Sequence, residues 1–189
     1  MTGYYDYAVR RPLQQPVVLS GFFGSNPERV GHTVGALSGL PFLCLAQLVE
    51  HRAGVPIADI LARHGRSSLD ALEAECLQEQ LPRKPYPLIA VAETTVLGPA
   101  QLAQLRGKAH HVHLSCGLVE SYWRVRRELQ RAPSRFQPYL SRPPSHPDEL
   151  ESLYAARSPG YRAANVTVPV AGLDTLESAR AVLALLEDE

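Results

Sequence analysis

The chain has 189 residues, 45% of them hydrophobic, with 19 basic and 19 acidic side chains. Zero net charge excludes the overall field that draws a protein onto nucleic acid or an anionic membrane surface, and neither is expected as a partner. Three cysteines, Cys44, Cys76 and Cys116, are odd in number, far apart and without a CxxC pair, which excludes a disulfide framework and a cysteine zinc site and fits a reducing cytoplasm.

Residues 1–15, with Tyr4, Tyr5 and Tyr7, show no sustained period and read as an N-terminal arm, either a partly ordered terminus or a segment packed on the domain or a second subunit. Residues 16–189 read as a single domain. No apolar run approaches membrane-spanning length, and no signal-peptide pattern is visible. Val17–Ser20 is a strand of the buried type, and Pro27–Leu40 carries Val30, Val34, Leu37 and Leu40 at helical spacing. Pro41–Leu45 predicts a second strand. Two short helices follow, broken at Gly54 and Pro56, and Ser67–Gln80 predicts another with Leu69, Leu72 and Cys76 inward and a cap from Ser67 and Ser68. Pro87–Ala92 is continuously apolar, as in a parallel strand buried on both faces. A helix over Pro99–Arg106, a strand over His110–Leu114 and a helix from about Leu118 to Gln130 come next. Residues 132–147 hold five of the sixteen prolines and predict an exposed, lid-like loop. The chain closes with a helix over Pro147–Arg157, a strand over Asn165–Val170 and an amphipathic helix over Thr175–Leu186. Roughly five strands alternating with helices predict a three-layer α/β domain, a parallel sheet with helices on both faces and a ligand crevice at the carboxyl ends of its strands.

Function turns on Gly21-Phe22-Phe23-Gly24-Ser25-Asn26-Pro27-Glu28. A glycine-bearing turn between a strand and a helix is a phosphate loop when its sixth to eighth positions are Gly, Lys and Ser or Thr. Here they are Asn26, Pro27 and Glu28. Pro27 offers a phosphate neither an amide hydrogen nor a charge. A carboxylate about 4 Å from a phosphate costs roughly 4 kcal/mol at an effective dielectric of about 20. The same residues read as a closed helix start, with Asn26 as N-cap, Pro27 in the first turn and Glu28 near the positive end of the dipole, so that no anion is required.

Gly21–Ser25 with Val30-Gly31, Leu40-Pro41-Phe42, Leu48–Gly54, Leu72-Glu73-Ala74-Glu75, Ile89-Ala90, Val96–Pro99 and Arg157–Arg162 occur in an order and spacing that resembles the shikimate kinase family, P-loop enzymes that phosphorylate shikimate with ATP and magnesium. The resemblance covers about Val17 to Leu186 and implies that family's P-loop kinase architecture. It also implies what has changed. The family's loop lysine and hydroxyl fall on Pro27 and Glu28, its Asp-x-Asp pair on Cys44 and Ala46, and its substrate-holding arginine on Asp70 behind Leu69. Its Gly-Gly-Gly turn falls on Ala92-Glu93-Thr94 and its lid arginine on Gln137, two residues from Arg135. The arginine before the Pro-x-Tyr element persists as Arg157. A degenerate member is implied, with no ATP or magnesium expected as cofactor.

The candidate ligand-binding set is Gly21, Gly24, Ser25 and Asn26 of the altered loop together with Glu93, Thr94 and Arg157 of the crevice. Glu93 has no counterpart in the family pattern; it would hold a cation or a ligand hydroxyl, or pair with Arg157. Cys44, Ser115 and Cys116 also fall at strand ends, where a cysteine activated by His32 or Glu93 would be nucleophilic and an unactivated one inert. His111 and His113 share a strand face near His110 but lack further ligands at diagnostic spacing, so no metal is expected. Arg124, Arg126, Arg127 and Arg131 form a basic ridge, read as a solvated helix face. The expected function is a pseudokinase that binds or regulates. The alternatives are a repurposed enzyme acting on another small anion through Glu93, Cys44 or Cys116 with Arg157, a divergent active shikimate kinase, and an assembly role in a homo-oligomer. The ligand or protein partner is left open.

Overall fold

The computed structural model describes residues 12–132, 140 and 143–187. Most of the predicted arm, and the lid positions Arg135 and Gln137, lie outside them. Strands β1 (Val17–Gly21), β2 (Phe42–Cys44), β3 (Leu88–Ala90), β4 (His110–Ser115) and β5 (Val166–Pro169) form one sheet in the order β2-β3-β1-β4-β5. Every pairing is parallel, with Val17 opposite Leu88 on one side and His110 on the other.

The five residues of β1 are all buried because helices cover both faces of the sheet, and the strand's period of two divides them. Val17 and Leu19 point into a core with Val30 and Val34 of α1 (Pro27–Ser38) and Ala179, Val182 and Leu183 of α7 (Thr175–Glu187). Val18 points the other way, among Leu45 and Val49 of α2 (Leu45–Ala53), Ile60, Leu69 and Leu77 of α3 (Ile57–Gln80) and Leu105 of α4 (Pro99–Leu105). A third cluster sits past the carboxyl end of β1, where Phe22 and Phe23 meet Tyr122 and Val125 of α5 (Leu118–Arg131) and Tyr161 of α6 (Glu151–Arg162). Two aromatic rings therefore anchor the turn that follows β1, which fixes the frame of the site.

Several expectations change in detail. α1 ends at Ser38, capped by Gly39 at φ 71°. Leu37 is exposed while Ser38 is buried, because the inward stripe runs through Val30, Gly31, Val34 and Ser38 and the Ser38 hydroxyl satisfies itself on the Val34 carbonyl, 2.7 Å away. Gly31 permits close packing, since a Cβ there would lie 2.6 Å from the Phe42 ring. The break expected before Ser67 lies at Gly65, whose φ of 75° kinks α3. Ser68 does not cap; its hydroxyl donates to the His64 carbonyl four residues back, as in a helix interior. The helix expected from Pro147 begins as a 3-10 turn, Pro147–Leu150, and continues as α6 to Arg162. Among the described residues no helix is long and apolar enough to cross a membrane.

Candidate functional site

The turn between β1 and α1 folds onto itself. The Ser25 amide and hydroxyl both donate to the Phe22 carbonyl, at 3.0 and 2.6 Å. A Cβ on Gly21 would stand 2.0 Å from the Ser25 hydroxyl oxygen, so the tight turn needs glycine there. Gly24 (φ 85°) and Asn26 (φ 52°) are both left-handed, and their amides converge on one point. That point is Oε1 of Glu93, which accepts from Gly24 N at 2.9 Å and Asn26 N at 2.8 Å. Glu93 arrives from beyond β3 and is only 6% exposed.

This corrects the expected role of Asn26. It stands at the N-cap position, yet its side chain makes no capping bond and Nδ2 donates to the Gly24 carbonyl at 3.2 Å. The Glu93 carboxylate takes both amide hydrogens, so the helix start is closed by an anion after all.

Arg157 lies directly beside this carboxylate's backbone. Its Nη1 donates to the Glu93 carbonyl at 3.0 Å, and its guanidinium sits 4.7 Å from the Phe23 ring centroid and 5.6 Å from that of Phe22. Burial pulls its pKa below the usual arginine value, with Tyr161 and Glu73 opposing. The Tyr161 hydroxyl donates to the Gly21 carbonyl at 3.4 Å, and its ring stacks on His113 at 4.3 Å.

Arg124 departs from the expected solvated ridge. Its Nη1 donates to the Gly24 carbonyl at 3.0 Å, and its Nη2 to Val170 and Leu173 carbonyls at 2.9 and 3.0 Å. Glu120 holds its Nε at 2.7 Å. One guanidinium thus ties the altered loop to the turn after β5. Arg126 is exposed and packs against Tyr122 and Trp123.

A second polar group lies next door, and sequence reasoning did not single it out. Glu73 is 2% exposed. Its Oε1 accepts from the Thr95 hydroxyl at 2.9 Å, and its Oε2 lies 3.8 Å from Arg66 Nη2. Neither Glu73 Oε2 nor Arg66 Nη2 has a hydrogen-bond partner, and Thr94 Oγ1 has none either. Burial pushes Glu73 up to about 7, with Arg66 and Thr95 pulling against it. Asp70 is bonded to Arg66 Nε at 2.7 Å. The available signal was a carboxylate at helical spacing within the apolar stripe Leu69, Glu73, Cys76 and Leu77.

The cysteines are not activated. Burial and then the neighbouring Glu28 carboxylate push the Cys44 thiol up to about 11. Burial likewise raises Cys116, whose Sγ is 3.0 Å from the Ser121 hydroxyl. His32 lies against the Phe42 ring, 5.9 Å between centroids. His111 Nε2 is 2.7 Å from the Ser20 hydroxyl, and burial lowers both His111 and His113 to about 4. Among the described residues no group of three His, Cys, Asp or Glu is arranged to hold a metal. The structure thus brings Gly21, Gly24, Ser25, Asn26, Glu93 and Arg157 together, sets Thr94 at their edge and leaves Cys44 apart beside Glu28.

A family model described as shikimate kinase matches residues 27–187. The shikimate kinase of Geobacter sulfurreducens is 28% identical over 156 residues, covering 82% of each chain. The solved shikimate kinase of Acinetobacter baumannii in complex with shikimate superposes with a TM-score of 0.75 at 22% identity, covering 92% of this chain and 93% of that one. The Aquifex aeolicus shikimate kinase gives 0.72 at 23%, covering 91% and 96%. The matched span and the shared P-loop architecture agree: the chain belongs to the shikimate kinase family.

Proposed function

We propose that this member of the family does not transfer phosphate and works as a binding or regulatory module. The observation that carries the reading is the Glu93 carboxylate seated on the Gly24 and Asn26 amides, the groups a phosphate loop would turn toward its anion. ATP and magnesium do not fit the residues present. The two amides are engaged, Pro27 has no amide hydrogen, and Glu28 stands beside the high-pKa Cys44 where the resemblance would place a hydroxyl and a carboxylate for the metal. A phosphate about 4 Å from Glu93 would meet roughly 4 kcal/mol of repulsion at an effective dielectric of about 20, near a thousandfold in affinity. Calorimetry with ATP-magnesium and with shikimate, run beside a transfer assay, is expected to show no ATP binding and no transfer. Micromolar binding of both with turnover would overturn the reading.

A second reading, a crevice that takes another small polar or anionic molecule, is favoured by the unsatisfied Glu73 Oε2, Arg66 Nη2 and Thr94 Oγ1 beside Arg157. Its test is a thermal-shift screen of small carboxylates and polyols on the wild type and on Arg66→Ala. A hit that the variant retains at full strength would count against this location.

A further inference from the structure

The altered loop and the crevice lie at the carboxyl ends of the strands, where this architecture places its ligands. A separate concavity lies at the amino ends. Pro16, Tyr86 and Lys108 stand just before β1, β3 and β4, and because these neighbouring strands run parallel all three residues come to one edge of the sheet. Together with Gln78 and Leu81 at the end of α3 and Gln104 of α4, they line a cavity of about 610 Å³, within the size range of small-molecule sites. The strand ends beneath it are closed by backbone alone: the Val17 amide donates to the Pro87 carbonyl at 3.1 Å, and the His110 amide to the Pro16 carbonyl at 2.8 Å. The polar side chains of the wall are not needed to finish the sheet.

We propose that this cavity binds a small anion that also carries an amide or lactam edge. It shares no lining residue with the altered loop or with the Glu73 cluster. Three observations define the ligand. Gln104 Oε1 is buried without a hydrogen-bond partner, and Gln104 Nε2 reaches Gln78 Oε1 only at 3.5 Å, beyond the usual range for a hydrogen bond. A buried acceptor left unmet is costly. A ligand with an N–H beside a C=O meets both amides, donating to Gln104 Oε1 and accepting from the exposed amide of Gln78. Charge supplies the second observation: Lys108 lines the cavity, the Lys84 ammonium lies 5.3 Å from the centroid of the Tyr86 ring, and no carboxylate is among the described lining residues. In a chain of zero net charge this is a local positive field, and it selects an anion. The Tyr86 ring and Leu81 add apolar surface for a flat ligand body.

The test uses the full chain and orotate as probe, a lactam ring bearing a carboxylate, beside uracil, which keeps the edge without the charge, and benzoate, which keeps the charge without the edge. Calorimetry at equal ionic strength compares the wild type with Gln104→Leu, Lys108→Ala and Arg66→Ala. Orotate is expected to bind the wild type about tenfold more tightly than either fragment, Gln104→Leu to weaken it about tenfold, and Lys108→Ala to weaken it about threefold. Should Gln104→Leu fail to fold, Gln78→Ala at the exposed partner takes its place with a loss in the same direction. Absence of orotate binding at millimolar concentration overturns the proposal, as do equal affinities for orotate and benzoate or full binding by both the glutamine and the lysine variants. Loss of orotate binding in Arg66→Ala would put the ligand in the crevice, overturning this inference while favouring the second functional reading, so the two remain distinguishable.

Discussion

Two polar regions sit side by side past the carboxyl end of β3, and they are finished in opposite ways. In the turn between β1 and α1, Glu93 meets two amides, and Arg124 meets three carbonyls there and after β5. Two residues along the chain from Glu93, the Thr95 hydroxyl donates to Glu73 of α3, where Glu73 Oε2 and Arg66 Nη2, 3.8 Å apart, are both buried without a hydrogen-bond partner. Satisfying a buried donor or acceptor costs little when the fold supplies its mate, and an unmet one costs about 1–3 kcal/mol. The loop amides are thus satisfied from within the chain, while the side facing α3 keeps polar atoms that no protein group meets in a hydrogen bond. Whatever small-molecule affinity the crevice has is expected on the Glu73 side.

The largest effect comes from attempting to reopen the closed side. The triple variant Asn26→Gly, Pro27→Lys and Glu28→Ser rebuilds the loop's sequence but leaves Glu93 on the amides. Its ATP affinity is expected to remain weak, and adding Glu93→Ala is expected to strengthen it by about a hundredfold or more, as relief of a like-charge contact predicts. Equal ATP affinities for the triple and quadruple variants, measured by calorimetry, would remove Glu93 from the explanation.

Next in size is Arg124→Ala. The guanidinium is 16% exposed as a side chain and its loss strands carbonyls on two separate turns, so about 2–3 kcal/mol of stability should go. Urea unfolding reads this directly. A loss below about 0.5 kcal/mol, typical of a surface residue, would mean that the loop and the β5 turn are held together by other contacts.

The fold was legible because its signals are local and repeated. Val17–Ser20 and Pro87–Ala92 read as buried strands without any knowledge of their neighbours, and Gly54 and Pro56 mark a break that the chain observes. Leu37 was misread because the helical stripe passes through Gly31 and Ser38, small residues that carry no hydropathy signal. The site was harder. Its replaced positions could be named from the loop, but the partner of the loop amides is 67 residues from Asn26 in sequence, and no spacing rule connects them. Arg124 looked solvated for the same reason, since the carbonyls it binds are 46, 49 and 100 residues away. Glu73 was visible as a carboxylate within an apolar stripe, and its consequence needed the burial that only packing supplies.

A smaller effect sharpens the open side through pH. Glu73 rises from 4.5 to about 7 on folding, so its favourable contribution is complete below 4.5 and is lost as pH climbs through 7. His111 and His113 fall from 6.5 to about 4, so theirs is complete above 6.5 and is lost as pH drops toward 4. Between pH 4.5 and 6.5 the slopes oppose, each by up to about 1.4 kcal/mol per pH unit. Glu73→Gln keeps an acceptor for Thr95 and removes the counterweight. Its stability is expected to decline on acidification more steeply than the wild type's by about 1 kcal/mol per unit. Parallel urea-unfolding profiles for the two proteins would show that Glu73 is not titrating in that window.

The smallest effect is expected at Cys44, one of the residues through which an enzyme reading of the crevice would act. With its thiol at about 11 against an ordinary 9.0, only the thiolate being nucleophilic, alkylation at pH 8 should run roughly a hundredfold slower than for an ordinary thiol. Cys44→Ala should leave binding of any ligand found on the Glu73 side unchanged, because Cys44 faces Glu28 and contributes no group to that cluster. Quantitative labelling by mass spectrometry distinguishes the cases. Rapid, stoichiometric modification of Cys44 in the native protein would mean that the Glu28 side of the crevice is open and its thiol is ionised, and the closed half would then be confined to the amides that Glu93 holds.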